Sequence, residues 1–218
     1  MRKLAVSATL LAASFLHRAE AAAITFNFAG SGVSGSITLT YGAATDAKYS
    51  QAFEVTGITG TFTDLNNGLN IVNAPIGGLV AIRRDTPEVD NLLAPNDFSR
   101  FAVATGLDPL NNGFLTYDNL YYPGGSPQTA SDYPPHGGFL DIYGLMFTIP
   151  GDRVVNFWSN GDFGGTVDYG AAVATSAMAL DYVGGVTATV VPEPGAFVLL
   201  GSGLAGVMLL RRRRARRG

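Results

Sequence analysis

The chain of 218 residues contains no cysteine, a single tryptophan and few charged residues. Without cysteine there is no disulfide framework, no thiolate nucleophile and no cysteine-based metal site. Charged residues make up only 14% of the chain, whereas hydrophobic residues make up 47%. Because those apolar residues are spread through the middle of the chain in short runs, the composition supports a folded core and excludes a disordered protein.

Basic residues are scarce in the middle of the chain. Between Ile24 and Val191 there are five Lys and Arg against fifteen Asp and Glu, a formal charge of −10. Affinity for nucleic acid rests largely on cations that release counterions from phosphates, so we expect no nucleic-acid partner for this acidic body. The last eight residues reverse the balance with a cluster of six arginines: Arg211, Arg212, Arg213, Arg214, Arg216 and Arg217.

Residues 1–23 have the pattern of a secretory signal peptide. Two basic residues precede an apolar segment from Leu4 to Leu16, which is shorter than the about 20 residues that span a bilayer. Small residues then offer a signal peptidase two cleavage sites, after Ala19-Glu20-Ala21 or after Ala21-Ala22-Ala23. This order of segments predicts export through the Sec machinery, followed by removal of the signal peptide.

The C-terminus predicts a short transmembrane helix. Gly195 to Leu210 are sixteen residues without a charge. As a helix they extend about 24 Å, against a hydrocarbon core of about 30 Å, and the arginine side chains make up the difference by snorkelling to the headgroups. The positive-inside rule places the arginine cluster in the cytoplasm and the body outside. We therefore expect an exported domain that is anchored in a membrane by its C-terminal helix.

The segment between body and helix carries a motif. Val191-Pro192-Glu193-Pro194, the short glycine-containing apolar helix and the terminal arginines together resemble the PEP-CTERM sorting signal of Gram-negative bacteria, over residues 191–218. The resemblance implies that the chain is a substrate of exosortase, a polytopic membrane protein regarded as the processing enzyme. It also implies a transient stay in the inner membrane, cleavage near Pro192, Glu193 and Pro194, and delivery to the cell surface or beyond. The two prolines present this segment as extended backbone.

The body, residues 24–190, has the pattern of short β-strands. Runs such as ITFNF, FLDIYGLMFTI and RVVNFW are rich in β-branched and aromatic residues and are separated by turn residues. An Ala-rich stretch from Tyr169 to Val183 has some helical periodicity, but its place between strand-like runs favours two strands or one long bent strand. We predict an all-β body, a sandwich or jelly roll of about ten to twelve strands. As a whole it resembles an uncharacterised group of PEP-CTERM proteins with β-rich middles.

Catalytic chemistry has little support in the sequence. Ser126, Asp132 and His136 are the residue types of a hydrolase triad, but they share one proline-rich loop and the chain has no G-x-S-x-G elbow. A histidine that stabilises a turn is the simpler interpretation. We therefore expect no enzyme activity and no cofactor.

Two polar segments contain oxygen-bearing side chains next to glycine, as calcium sites do. They are Asp64, Asn66, Asn67 and Asn70 in the first segment, and Asn160, Asp162 and Asp168 in the second. Neither matches an EF-hand loop or the calcium β-roll repeat, and Asx-Gly turns between strands explain both at least as well. The sequence assigns no metal ligand and leaves structural calcium open.

Aromatic side chains in the loop from Tyr121 to Gly138 are the remaining candidates for ligand contact. Tyr121, Tyr122 and Tyr133 offer flat apolar faces to a polysaccharide or a protein, whereas Trp158 lies inside a strand-like run and is expected to be buried. The sequence thus predicts a structural or adhesive protein of the cell envelope or extracellular matrix. The alternative is a carbohydrate-binding module of the exopolysaccharide matrix.

Overall fold

The structure is a computed structural model, and it describes residues 21–82, 99–102, 114–129, 133–175 and 179–191. These ranges contain twelve β-strands and one short 3-10 helix, Asn66–Gly68, so the prediction of an all-β body is confirmed. The strands are β1 (Ala22–Gly30), β2 (Val33–Thr45), β3 (Phe53–Asp64), β4 (Ile71–Pro75), β5 (Gly78–Leu79), β6 (Ser99–Ala102), β7 (Phe114–Tyr117), β8 (Leu120–Tyr121), β9 (Leu145–Ile149), β10 (Arg153–Asp162), β11 (Val167–Ala174) and β12 (Ala179–Val191).

Ten of these strands form one antiparallel sheet. Its order is β4-β3-β2-β1-β12-β11-β10-β9-β5, with β8 added to β3, while β6 and β7 form a separate pair. The sheet curls into a half-barrel, so a single continuous sheet stands where the sandwich prediction expects two stacked ones. Register shifts in β2 and β3, between Thr40 and Tyr41, and in β10, between Ser159 and Gly161, supply bends of the kind that curl a sheet.

Alternation along β1 to β3 creates the inner face of the half-barrel. In β1, Phe26 and Phe28 are buried while Asn27 between them is exposed, as the period of two along a strand requires. Because the sheet curls, these rings meet residues from its other half. The ring centroids of Phe28 and Phe157 lie 4.9 Å apart, and those of Phe62 and Phe147 lie 6.1 Å apart.

Strands β9 to β11 are buried on both faces. In β10, Val154 to Trp158 are all buried. One face lies on the main core, and the other belongs to a second cluster on the outer side of the sheet, in which Trp158 packs with Tyr117, Met146 and Ala172. Trp158 is 4% exposed, so its predicted burial is confirmed. Its ring lies over Gly170 on the neighbouring strand, where an added Cβ would approach the indole to 2.3 Å.

The connection between β4 and β5 joins the two edges of the sheet. Ile76 N–H donates to Gly60 O of β3 at 3.0 Å, and Gly77 N–H donates to Thr148 O of β9 at 2.8 Å. We call this junction between β3 and β9 the seam, and Asn119 reinforces it. Its backbone O accepts from Val55 N–H, and its side-chain Oδ1 accepts from Met146 N–H at 2.9 Å. The half-barrel is therefore held together across its opening by backbone hydrogen bonds.

Two sequence predictions have different outcomes. The Ala-rich stretch forms two strands, β11 and β12, as favoured. Of the run FLDIYGLMFTI only Leu145–Ile149 is a strand. The reason lies in Asp141, whose Oδ1 accepts from the N–H groups of Tyr143 and Gly144 at 2.9 and 3.0 Å and so turns the chain before β9.

The predicted export and anchoring segments fall largely outside the described residues. The signal peptide up to residue 20 and the segment 192–218 are not described. Among the residues that are described, no helix has the length and apolar character needed to cross a membrane.

Candidate functional site

The two ends of the body leave the sheet side by side. β12 lies in the middle of the sheet, between β1 and β11. Its last residue, Val191, pairs with Thr25 near the beginning of β1, and Val190 pairs with Phe26. Val190 and Val191 are 51% and 37% exposed. The chain therefore enters and leaves the body at the same end of two neighbouring strands.

The predicted sorting residues follow this junction directly. Pro192 is the residue after Val191, so no linker separates the last paired residue of β12 from the Pro-Glu-Pro sequence. Pro192, Glu193 and Pro194, together with the arginine cluster, lie outside the described residues. What the structure adds is their point of attachment, which is a central strand and not a mobile terminus.

A cavity of about 460 Å³ opens beside the same end of β12. Residues 187–190 of β12 form one side, and aromatic side chains contribute much of the remainder: Tyr121, Tyr122, Phe139 and Tyr169. Thr166 stands at its rim and is exposed. Burial raises the pKa of Tyr169 above its usual range, so this hydroxyl stays protonated at the wall of the cavity.

The three tyrosines predicted to contact a ligand are not brought together. Tyr121 and Tyr122 border the cavity, but their side chains are 5% and 0% exposed, and Tyr121 packs on Tyr41 with ring centroids 4.9 Å apart. Tyr133 is half-buried, and its hydroxyl donates to Asn160 O at 2.9 Å. Ligand contact by these residues stays a prediction.

A pair of buried carboxyl groups, Asp118 and Asp141, lies next to Tyr122. Both side chains are 2% exposed. Burial raises the pKa of Asp118 well above its usual range, and the facing carboxyl of Asp141 raises it further. The pKa of Asp141 is also raised by burial, but the Gly144 and Tyr143 amides and the Asp118 carboxyl oppose the shift. Asp141 accepts hydrogen bonds from two backbone N–H groups and Asp118 accepts from one, so we expect a proton shared by the pair to reside on Asp118.

The first predicted polar segment forms a cluster with a residue far along the chain. Asn66 Nδ2 donates to Asp181 Oδ2 at 2.9 Å, and Asn67 Nδ2 donates to Asp181 Oδ1 at 2.8 Å. Asp64 Oδ1 accepts from Asn66 N–H at 2.8 Å, which is an Asx turn. Asn70 lies at the end of the segment with a φ of 47°.

Three buried acidic residues were not predicted as site residues from the sequence: Asp118, Asp141 and Asp181. The available signal was an acidic residue inside or next to an apolar run.

The second polar segment matches the turn interpretation. Asp162 Oδ1 accepts from Gly165 N–H in the turn between β10 and β11, and Asn160 Nδ2 donates to Asp168 Oδ2 at 2.7 Å across those strands. The amide oxygen of Asn160 accepts from the indole N–H of Trp158 at 2.7 Å. Within the described ranges, no group of three or more His, Asp or Glu side chains is placed to hold a metal ion.

The residue types of a hydrolase triad are not assembled in the described part of the chain. Ser126 is buried, and its Oγ accepts from Gly137 N–H at 3.3 Å. His136 is exposed, and its backbone O accepts from Asp162 N–H at 2.8 Å. Asp132 lies outside the described residues. The observed contacts of the serine and the histidine are those of a loop fastened to the end of β10.

The motif that follows β12 supports export of the protein and its sorting through exosortase. The family model of the PEP-CTERM protein-sorting motif matches residues 190–214, so the chain carries this motif, as its sequence predicts. The match begins on the last two residues of β12. No curated protein and no solved structure matches the chain.

Proposed function

We propose that the curled β body is a non-catalytic structural or adhesive protein of the cell envelope or extracellular matrix. Exosortase is the enzyme that acts on it, and the body is the product that is delivered. The observation that carries this proposal is the sorting motif that begins on the last residues of β12. Since both ends of the body lie together, the rest of the sheet faces away from the membrane while the tail is held there.

The polar groups of the body support a structural role. Ser126, Asn119 and Asp141 make hydrogen bonds that fasten loops to strands. Such contacts stabilise a domain and leave these groups without access to a substrate. Acidic charge on the body disfavours binding to a polyanionic matrix and favours a neutral or cationic surface.

The test compares cells of an exosortase-containing host that produce the wild-type chain or a variant with Pro192, Glu193 and Pro194 changed to alanine. With the wild type, we expect the body in the surface and matrix fractions and increased retention of cells on a surface. With the variant, the body should remain in the inner membrane and retention should fall to that of cells without the protein. Equal retention in all three cultures would contradict an adhesive role.

A second candidate function is carbohydrate binding at the cavity beside β12. Its aromatic lining and volume of about 460 Å³ fit one or a few sugar rings. Thr166→Trp would fill the rim, whereas Thr59→Trp adds the same side chain at an exposed position of β3. On a glycan array, binding by the wild type and the Thr59 variant but not by the Thr166 variant would support this function. Absence of binding by the wild type would contradict it.

A further inference from the structure

Asp64 and Asp181 place two carboxyl groups against each other inside the protein. Asp64 is the last residue of β3 and is 0% exposed; Asp181 belongs to β12 and is 7% exposed. Asn66 connects them, since its backbone N–H donates to Asp64 Oδ1 and its side-chain amide donates to Asp181 Oδ2. Asp64 Oδ2 is buried, and no N–H or O–H group of the described residues donates to it. A buried oxygen without a donor is costly, and a bound ion would satisfy it.

Further oxygen atoms surround this carboxyl pair. The amide of Asn66 bridges Asp181 Oδ2 and Ser31 O, at 2.9 and 2.8 Å. The amide of Asn67 bridges Asp181 Oδ1 and Leu180 O, at 2.8 and 3.2 Å. Each amide NH₂ thus stands where it contacts one carboxylate oxygen and one backbone carbonyl. A half-turn of either amide about its terminal bond would replace these donors with an oxygen.

In the described part of the chain, the hydrogen bonds to these two carboxyl groups come from the backbone and side-chain amides of Asn66 and Asn67. Two acidic side chains that are almost fully buried next to each other are costly without a compensating positive charge. A cation held between the two carboxyl groups would supply that charge and the partner that Asp64 Oδ2 lacks.

We propose that Asp64 and Asp181, with the side-chain and backbone oxygens of residues 31, 66, 67 and 180, bind one Ca²⁺ ion. This set offers the about six to eight oxygens that Ca²⁺ takes, from carboxylates, amides and backbone carbonyls. The ion would connect the turn after β1, the end of β3 and the beginning of β12. It would therefore stabilise the strand whose other end carries the sorting motif. Calcium is chosen over magnesium because the set consists of protein oxygens alone, whereas Mg²⁺ usually keeps several of its waters.

The test is calorimetric titration of the full-length chain, purified in detergent and freed of metal by a chelator, with CaCl₂ alone near neutral pH. We expect one ion per chain with a dissociation constant of about 10⁻⁴ to 10⁻³ M, as in extracellular modules. The melting temperature should rise with CaCl₂ concentration. Asp181→Asn should weaken binding at least about tenfold, the change expected when one charged ligand is lost.

Two further variants separate binding from folding. In Asp64→Asn, the new amide can donate to Asp181, so the chain should stay folded without calcium while binding is lost. Asp162→Asn removes one acidic group from the exposed turn between β10 and β11 and should bind calcium as the wild type does. The proposal is overturned if the wild type shows neither heat nor a shift in melting temperature at about 10 mM CaCl₂. It is overturned equally if Asp64→Asn and Asp181→Asn bind like the wild type, and equal binding of Mg²⁺ would overturn the assignment to calcium.

Discussion

Thr25 and Val191 are paired across β1 and β12, so the beginning and the end of the body are neighbours. Val191 is followed at once by Pro192, which places the processing segment against a folded, hydrogen-bonded strand. A membrane enzyme that acts near Pro-Glu-Pro must therefore approach the body closely, and the body limits the space available to it.

Insertion of Gly-Ser-Gly-Ser between Val191 and Pro192 should accelerate processing. Four flexible residues add a reach of roughly 11 Å between the end of β12 and the motif. The measurement is a pulse-chase of precursor and product in a host with exosortase. The same insertion between Gly164 and Gly165, in the exposed turn after β10, is the matched control and should leave the rate unchanged. Identical rates for all three chains would show that the strand end does not limit access.

Asp118→Asn should make the body more stable at high pH. The pKa of Asp118 is raised in the folded state, so unfolding releases a proton and wild-type stability falls as pH rises from about 4 towards the folded pKa. The variant keeps a donor towards Asp141 but lacks this proton. The free energy of unfolding of the variant should exceed that of the wild type by an amount that grows by up to about 1.4 kcal/mol per pH unit over that range. This difference should vanish below about pH 4.

The measurement for this prediction is the free energy of unfolding in urea at several pH values for the full-length chain in detergent. Asp152→Asn, at an exposed turn before β10, controls for the loss of one carboxyl group. A constant difference between Asp118→Asn and the wild type at every pH would contradict the shared proton.

Asn119→Ala should destabilise the body by about 2 to 4 kcal/mol. The substitution leaves Met146 N–H without Oδ1 and Val80 O without the amide donor, and it places alanine at a φ of 53°. Asn73→Ala is the matched control, because Asn73 has a φ of 48° but an exposed side chain. We expect a loss of about 1 kcal/mol there. The measurement is the free energy of unfolding in urea. An equal decrease for both variants would mean that the side-chain contacts of Asn119 contribute nothing to stability.

The sequence was sufficient for the class of fold and for the sorting motif. Alternation in β1, with Phe26 and Phe28 on one face, and the order of signals at the C-terminus are local patterns that can be read directly. The single curled sheet could not be predicted in this way. It depends on pairing between β1 and β12 and on Asn119, which connects β3 and β9 through contacts remote in sequence.

The buried acidic pairs show the same limit. Asp64, Asn66 and Asn67 stand together in the sequence and were recognised as oxygen-bearing, but Asp181 reaches them only through the position of β12. Asp118 and Asp141 are 23 positions apart and meet because the loop carrying Asp141 turns back beside β8. These acidic groups come together only when the sheet folds, so the sequence alone does not reveal the pairs.

The central claim is that exosortase processes this chain at its C-terminal motif. The most direct measurement is the intact mass of the protein from a host with exosortase and from the same host without it. We predict a product that ends near Pro192, Glu193 and Pro194 only where exosortase is present, and accumulation of the precursor for Glu193→Ala. A chain that ends at Gly218 in both hosts would contradict the account and leave the tail as a simple anchor.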